Sequence, residues 1–159
     1  MTLIYEILNN KLLFWSLTSC ISAQFLKVIF NLFYKRELRF GVIFETGGMP
    51  SSHSALICSV AAGIGLENGF ESSMFAFSVA ISLIVMYDAS GVRKSAGLQA
   101  IEINKISRQL DKNSQSELKE KLGHTKVEVI VGSLLGPIIT LPGIIFLGSP
   151  LDLWHLIVK

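Results

Sequence analysis

His124 and Glu128 stand four residues apart in the stretch Gly123-His124-Thr125-Lys126-Val127-Glu128. On a helix that spacing puts both side chains on one face, a turn apart. A carboxylate bonded to one ring nitrogen fixes the imidazole tautomer and leaves the other nitrogen free as nucleophile or base. Taken alone, the pair also fits an ordinary surface or capping arrangement. A second histidine, His53, follows Gly47-Gly48-Met49-Pro50-Ser51-Ser52. Two histidines can divide a phosphoryl transfer, one attacking phosphorus and one protonating the departing oxygen.

The residues before His53 suit an anion. Gly47 and Gly48 allow close backbone approach and unusual dihedrals, and Pro50, Ser51 and Ser52 are typical of a helix start, where unpaired N–H groups and the dipole favour negative charge. Serine hydroxyls and nearby Lys or Arg would complete a phosphate cradle; the blander reading of the same residues is a helix-capping turn. Two further ionisable positions interrupt apolar sequence, where charge is costly and so marks function: Lys27, one turn after Gln24, and Asp88, followed by Gly91-Val92-Arg93-Lys94. Asp88 could pair with Arg93, position a histidine or contribute to a metal site. No His-x-x-x-His or paired-cysteine spacing of the zinc type is present. His155, beside Trp154, reads as an interfacial residue without a catalytic part, and Cys20 and Cys58 as small buried hydrophobes.

The elements that must position these groups are membrane helices. Of 159 residues, 50% are hydrophobic and 16% charged, against about 25% charged in an average soluble domain. This excludes a disordered chain, and two cysteines inside apolar runs argue against a disulfide scaffold. The formal charge of +2 gives no reason to expect nucleic acid as a partner. A helix needs about 20 mostly apolar residues to cross a bilayer core. Four runs are candidates: Leu12 to Phe33, Ser54 to Leu66 with Pro50 to His53 as its first turn, Met74 to Tyr87, and Val127 to Leu147, where Pro137 and Pro142 suggest a kink.

Between the third and fourth runs, Val92, Ala96, Ala100, Ile103, Ile106 and Leu110 recur at helical spacing opposite charged residues. They predict an amphipathic helix, lying on the membrane surface or packed on the rest of the protein, with Asp111 to Gln115 a polar loop after it. The expected fold is therefore an all-α integral membrane bundle of about four transmembrane helices plus an amphipathic cytoplasmic helix, in one membrane domain over residues 1–159.

Charge orients the bundle. Lys35, Arg36 and Arg39 follow the first run, and eight basic residues from Arg93 to Lys126 lie between the third and fourth. The connection from Glu67 to Ser73 carries two glutamates and no base. The positive-inside rule puts the two basic connections in the cytoplasm and both termini outside. His53, Asp88, His124 and Glu128 then all lie at the cytoplasmic boundary. Leu17 to Cys20 resembles a lipoprotein cleavage site, but the apolar run continues past the cysteine, so an uncleaved first helix is expected. Gly132 and Gly136, at GxxxG spacing, provide a small surface for helix contact, within a subunit or in a homo-oligomer.

At this point the sequence resembles a known family. Pro50-Ser51-Ser52-His53 is similar to the Pro-Ser-Gly-His motif of the type 2 phosphatidic acid phosphatase superfamily, and His124-x-x-x-Glu128 resembles its His-x-x-x-Asp motif. The wording from Thr46 to Ala55, from Asp88 to Arg93 with Ala96 to Ala100, and from Gly123 to Val129 looks closest to the divergent branch of that superfamily, over about Gln24 to Gly136. The resemblance implies His124 as the nucleophile that forms a phosphohistidine, Glu128 as its orienting group and His53 as general acid. It implies Ser51, Ser52 and the adjacent backbone, with Gly48, around the phosphate oxygens. The phosphatases of that superfamily need no metal, so no cofactor is expected.

Two cationic motifs of the superfamily are absent: Tyr34 stands where an Arg-Pro pair would follow Lys27, and Glu117 and Leu118 stand where a Ser-Arg pair would precede His124. Lys27 and Arg93 are the candidate replacements, with Asp88 nearby, while Lys119 and Lys121 read as solvated charges. The function implied is a membrane-bound phosphatase acting on a phosphomonoester or pyrophosphate of a lipid or prenyl alcohol. The alternative is a non-catalytic membrane protein that binds phospholipid head groups or a partner protein through the same cradle.

Overall fold

The computed structural model describes residues 2–158 apart from 37, 39, 45, 46 and 111–116. Among the described residues all regular structure is helical: α1 (Thr2–Leu8), α2 (Lys11–Lys35), α3 (Ser52–Asn68), α4 (Ser73–Tyr87), α5 (Arg93–Leu110), α6 (Lys126–Pro142) and α7 (Pro150–Ile157). A 3-10 turn spans Phe40–Phe44, and π turns span Asp88–Val92 and Gly143–Leu147. Side chains preceding the helices supply the orphan N–H groups with acceptors. The Asn10 amide oxygen takes the Leu13 N–H at 2.9 Å and the Ser72 hydroxyl takes that of Phe75 at 3.2 Å. Ser149 and Asp152 form a reciprocal capping box at α7, in which the Ser149 backbone N–H and hydroxyl donate to Asp152 Oδ2 and hold that carboxyl below its usual range.

Three helical segments are long and apolar enough to cross a membrane: Lys11–Tyr34, Ser73–Leu110 and Lys126–Leu147. α3 has 17 residues, about 25 Å at 1.5 Å per residue, and is not among these three. It is nevertheless the centre of the bundle, packing against α2, α4 and α6, while α2 also meets α6.

The distribution of side chains is that of a protein solvated by lipid. Large apolar groups such as Phe25, Phe33, Phe77, Ile84 and Ile138 face outward, and the interior is built from Ala23, Ala55, Ala61, Ser16, Ser19, Ser59 and Thr140. With apolar solvent outside, helices gain nothing by hiding large side chains; they gain from close packing and hydrogen bonds between small ones. Ser19 and Ser59 share a hydroxyl–hydroxyl contact of 2.5 Å between α2 and α3. The Gly132–Gly136 stripe is spent inside the subunit: a Cβ at Gly132 would overlap the Ser51 carbonyl, and one at Gly136 the Ala55 carbonyl. Gly136→Leu is therefore expected to destabilise the bundle by about 3 kcal/mol or more, since overpacking against backbone has no rotamer escape. Thermal unfolding in detergent would show the loss, and an unchanged midpoint would refute this packing.

The far end of the bundle is closed by Lys11–Glu67, at 3.4 Å, by Gly63 against Leu12 and Ile144, and by Trp15, whose ring lies on Gly143 while its Nε1 donates to the Gly148 carbonyl at 2.8 Å. The other end carries the second half of α2, the starts of α3 and α6 and the end of α4. The chain does not break after Asp88, where the third apolar run was expected to stop; Ser73–Leu110 stays helical through the π turn. α5 buries Gly97, Ala100 and Asn104 and leaves Ile103, Ile106 and Leu110 exposed, as is Val92 in the π turn before it. Its packed face is thus made of small residues, and of the expected apolar stripe Ala100 is the member that joins it. The expected polar loop from Asp111 to Gln115 lies outside the described residues. The Pro137 and Pro142 rings are accommodated within α6, and the π turn follows Pro142 directly.

Candidate active site

His124 is placed by three separate constraints. Thr125, not His124, caps α6: its hydroxyl accepts the Glu128 N–H at 3.3 Å while Glu128 Oε2 accepts the Thr125 N–H at 3.1 Å. His124 therefore precedes the helix instead of lying on its first turn, and the expected one-face pairing is made across the helix start. The same Glu128 oxygen reaches His124 Nδ1 at 3.0 Å. An ionised carboxylate can only accept, so Nδ1 carries a proton, and in the neutral ring Nε2 is the nitrogen with the lone pair. The imidazole is 3% exposed.

The second constraint is backbone. The His124 N–H donates to the Ala89 carbonyl at 2.8 Å, inside the π turn Asp88–Val92; such turns are often found at functional sites. Gly123 adopts φ +75 against the Arg93–Lys94 backbone, where a Cβ would collide. The third constraint is the connection before it. Gly97 lets that connection approach α5, with Glu120 O lying 2.6 Å from where a Cβ would stand. Buried Asn104 then fastens it: its Nδ2 donates to the Leu118 carbonyl and to Glu120 Oε1, both at 2.9 Å, and its Oδ1 accepts the Leu118 N–H at 2.9 Å. Asn104→Ala removes all three bonds and is expected to cost about 2–4 kcal/mol, at roughly 1 kcal/mol per bond plus the orphaned partners. Hydrogen exchange at the Leu118 and His124 amides should accelerate; unchanged protection would contradict this anchoring.

Two cavities meet at His124. The smaller, about 20 Å³, is lined by His53, Val85, Asp88, Ala89, Arg93, Gly123 and His124. The larger, about 540 Å³, includes Lys27, Asn31, Gly47, Gly48, Lys94, Lys121, His124 and Glu128 in its wall. His53 stands at the first turn of α3, exposed, within the fields of Arg93, His124 and Lys27 and of the opposing Asp88. Of the roles open to Asp88, the structure shows pairing with Arg93, Nε to Oδ2 at 2.5 Å. Among the described residues no three His, Cys, Asp or Glu side chains gather closely enough to hold a metal.

The expected residues thus divide. His53, Asp88, Arg93 and His124 share the small cavity; Lys27, Gly48, His124 and Glu128 share the large one. Ser51 and Ser52 line neither and are buried. The Ser51 hydroxyl accepts from the Ser54 N–H and hydroxyl at 3.4 and 3.0 Å, and its backbone N–H donates to the Glu128 carbonyl at 3.0 Å. Ser51 is therefore a helix cap that ties α3 to α6, and it is Gly47 and Gly48, with φ of +127 and +85, that line the larger cavity.

Three lining residues escape a sequence reading. Asn31 lies one turn beyond Lys27, so Gln24, Lys27 and Asn31 form a polar stripe on α2 that the sequence does display. Lys94 and Lys121 carry no such signal. Lys121, expected to be a solvated charge, is exposed and also contributes to the cavity wall.

Residues 8–139 match the family model described as the Divergent PAP2 family. The chain belongs to that family. It is also similar to YuiD, an uncharacterized membrane protein of Bacillus subtilis (strain 168), at 41% identity over 150 residues, covering 86% of this chain and 95% of the relative. No solved structure matches. The divergent PAP2 match spans α2 through most of α6, and so takes in every element that lines the two cavities. The relative's description and the helices long and apolar enough to span agree that this is an integral membrane protein.

Proposed function

We propose that this divergent PAP2 protein is a phosphatase that removes a phosphoryl group from a lipid or prenyl phosphate. The observation that carries the reading is that His53 and His124, far apart in sequence, line one small cavity while Glu128 holds the tautomer of His124. His124 Nε2 attacks phosphorus as the bond from phosphorus to the lipid oxygen breaks. His53, entering protonated, gives its proton to that oxygen, and the lipid alcohol leaves. Water then attacks the phosphohistidine; His53, now neutral, takes the water proton, the P–N bond breaks and inorganic phosphate departs. Two proton transfers cancel, and the net reaction is hydrolysis. Glu128 stabilises the positive charge that appears on the His124 ring. Arg93, Lys27 and the Gly47–Gly48 backbone offset charge on the phosphoryl oxygens.

Four crossings by α2, α3, α4 and α6 put both termini outside and the histidines at the cytoplasmic face, following the basic connections. There the site meets lipid head groups while the acyl or prenyl chain stays in the bilayer. Detergent-purified protein should release phosphate from one or more of phosphatidic acid, phosphatidylglycerophosphate and polyprenyl mono- and diphosphates, assayed with and without chelator. Tight binding of these lipids without turnover of any would replace this reading with head-group binding alone.

A further inference from the structure

The helical segment Ser73–Leu110 has 38 residues, about 57 Å at 1.5 Å per residue, against a hydrocarbon core of about 30 Å. A helix that continues through the π turn thus carries α5 beyond the hydrocarbon. One line of exposed positions runs along it. From the π turn through α5 the line is Val92, Ala96, Gln99, Ile103, Ile106 and Leu110, in alternating steps of four and three. In α4 the exposed Phe77, Ala80, Ile84 and Tyr87 keep the same rhythm. The step that breaks it, Tyr87 to Val92, is five residues long and falls on the π turn, where the Arg93 N–H donates to the Asp88 carbonyl five residues back. The turn absorbs the extra residue, so the line stays on one side of the segment.

Alternating steps of three and four are the a/d seam of a two-stranded coiled coil. Lipid covers such a line inside the bilayer, where burying large apolar groups gains little. Beyond it the line meets water, and Val92, Ile103, Ile106 and Leu110 are each more than half exposed. Charge is kept off the line. At about 100° per residue, Lys94, Lys105 and Arg108 fall on the side of α5 away from Ile103 and Ile106. A third side, with Gly97 and Asn104, holds the connection through Leu118 to Leu122 and leaves the seam open.

We propose that this chain forms a parallel homodimer through the α4–α5 seam. A second copy is the occupant because an a/d line is self-complementary, and because copies inserted in one bilayer with the same orientation meet in parallel about a two-fold axis. Glu102, beside the seam, then faces Ser107 of the partner subunit, so no like charges oppose there. A helix lying flat on the bilayer needs a sharp break after α4, and the chain stays helical there. The seam is separate from Gly132–Gly136, which is used within the subunit. It also reaches the site: Val92 belongs to the π turn whose Ala89 carbonyl accepts the His124 N–H. Pairing therefore braces that turn and opens both sites on the same side of the membrane. The proposal holds whatever chemistry His124 performs.

Cysteine cross-linking of the full chain in liposomes, at a low ratio of protein to lipid, tests it. In a Cys20→Ala/Cys58→Ala background, single substitutions Ile103→Cys, Ile106→Cys and Leu110→Cys lie on the seam. Leu98→Cys and Lys105→Cys are exposed controls off it. Disulfide dimers should form at least about tenfold more at the seam positions, where facing side chains interdigitate. Equal yields at all five positions overturn the proposal. So does strong quenching of bimane-labelled seam cysteines by brominated lipid without cross-linking, which would place the stripe on the bilayer surface. The Leu110→Cys cross-link should fall at least about tenfold when Ile103→Glu and Ile106→Glu set like charges across the seam, and persist with Leu98→Glu. These side chains are exposed in the single chain, so helical content by circular dichroism should not change. A cross-link that survives the double glutamate variant contradicts the seam.

Discussion

His124→Ala is expected to lower kcat for lipid phosphate hydrolysis by about 10³-fold or more, the range seen when a covalent nucleophile is deleted. The fold should survive. The backbone bond from residue 124 to Ala89 does not use the imidazole, and Glu128 keeps its capping bond to the Thr125 N–H. Loss of activity with an unaltered melting curve would place the imidazole in the chemistry; residual activity within tenfold of the parent would remove it. Glu128 substitutions are less clean, because that carboxylate both orients His124 and caps α6.

His53→Ala should lower turnover of alkyl phosphates by about 10²- to 10⁴-fold, the usual worth of a positioned general acid. The loss should depend on the leaving group. A lipid alcohol needs a proton as the P–O bond breaks, whereas a nitrophenolate leaves as a stable anion. An aryl phosphate should therefore recover most of the activity in His53→Ala and little in His124→Ala. Equal losses on both substrates in His53→Ala would mean that His53 positions phosphate and does not donate a proton. The exposed position of His53 at the first turn of α3 makes a folding defect an unsuitable explanation for either result.

Much of this arrangement was legible because charge in an apolar run is costly. Lys27, Asp88, His124 and Glu128 stand out against their surroundings, and the positive-inside pattern predicts one side for the helix ends at Asp88, His124 and Glu128. The cap before α6 was legible in type but not in register. A His-x-x-x-Glu spacing looks the same whether the histidine begins the helix or precedes it, and only the Thr125 capping box decides.

Ser51 and Ser52 illustrate the converse. Their sequence context fits a phosphate cradle and a helix cap equally, and the choice falls to α6, whose Gly132 lets the Ser51 backbone approach so closely that the serines are buried between helices. Lys94 and Lys121 were not legible. A lysine on an amphipathic helix or a polar connection has the same neighbours in sequence whether it faces water or a cavity. Its direction here follows from tertiary contacts at Gly97, Asn104 and Gly123. Asn31 was within reach, since a third polar residue one turn beyond Lys27 extends a stripe that apolar lipid contact would not tolerate.

The most direct test of the central claim is the chemical identity of the intermediate. Full-length protein in detergent, mixed with phosphorus-labelled lipid phosphate and quenched in alkali to preserve phosphoramidate bonds, would be digested and read by mass spectrometry. The account predicts label on His124, absent in His124→Ala. Label on another residue, or sustained turnover by His124→Ala, would contradict it.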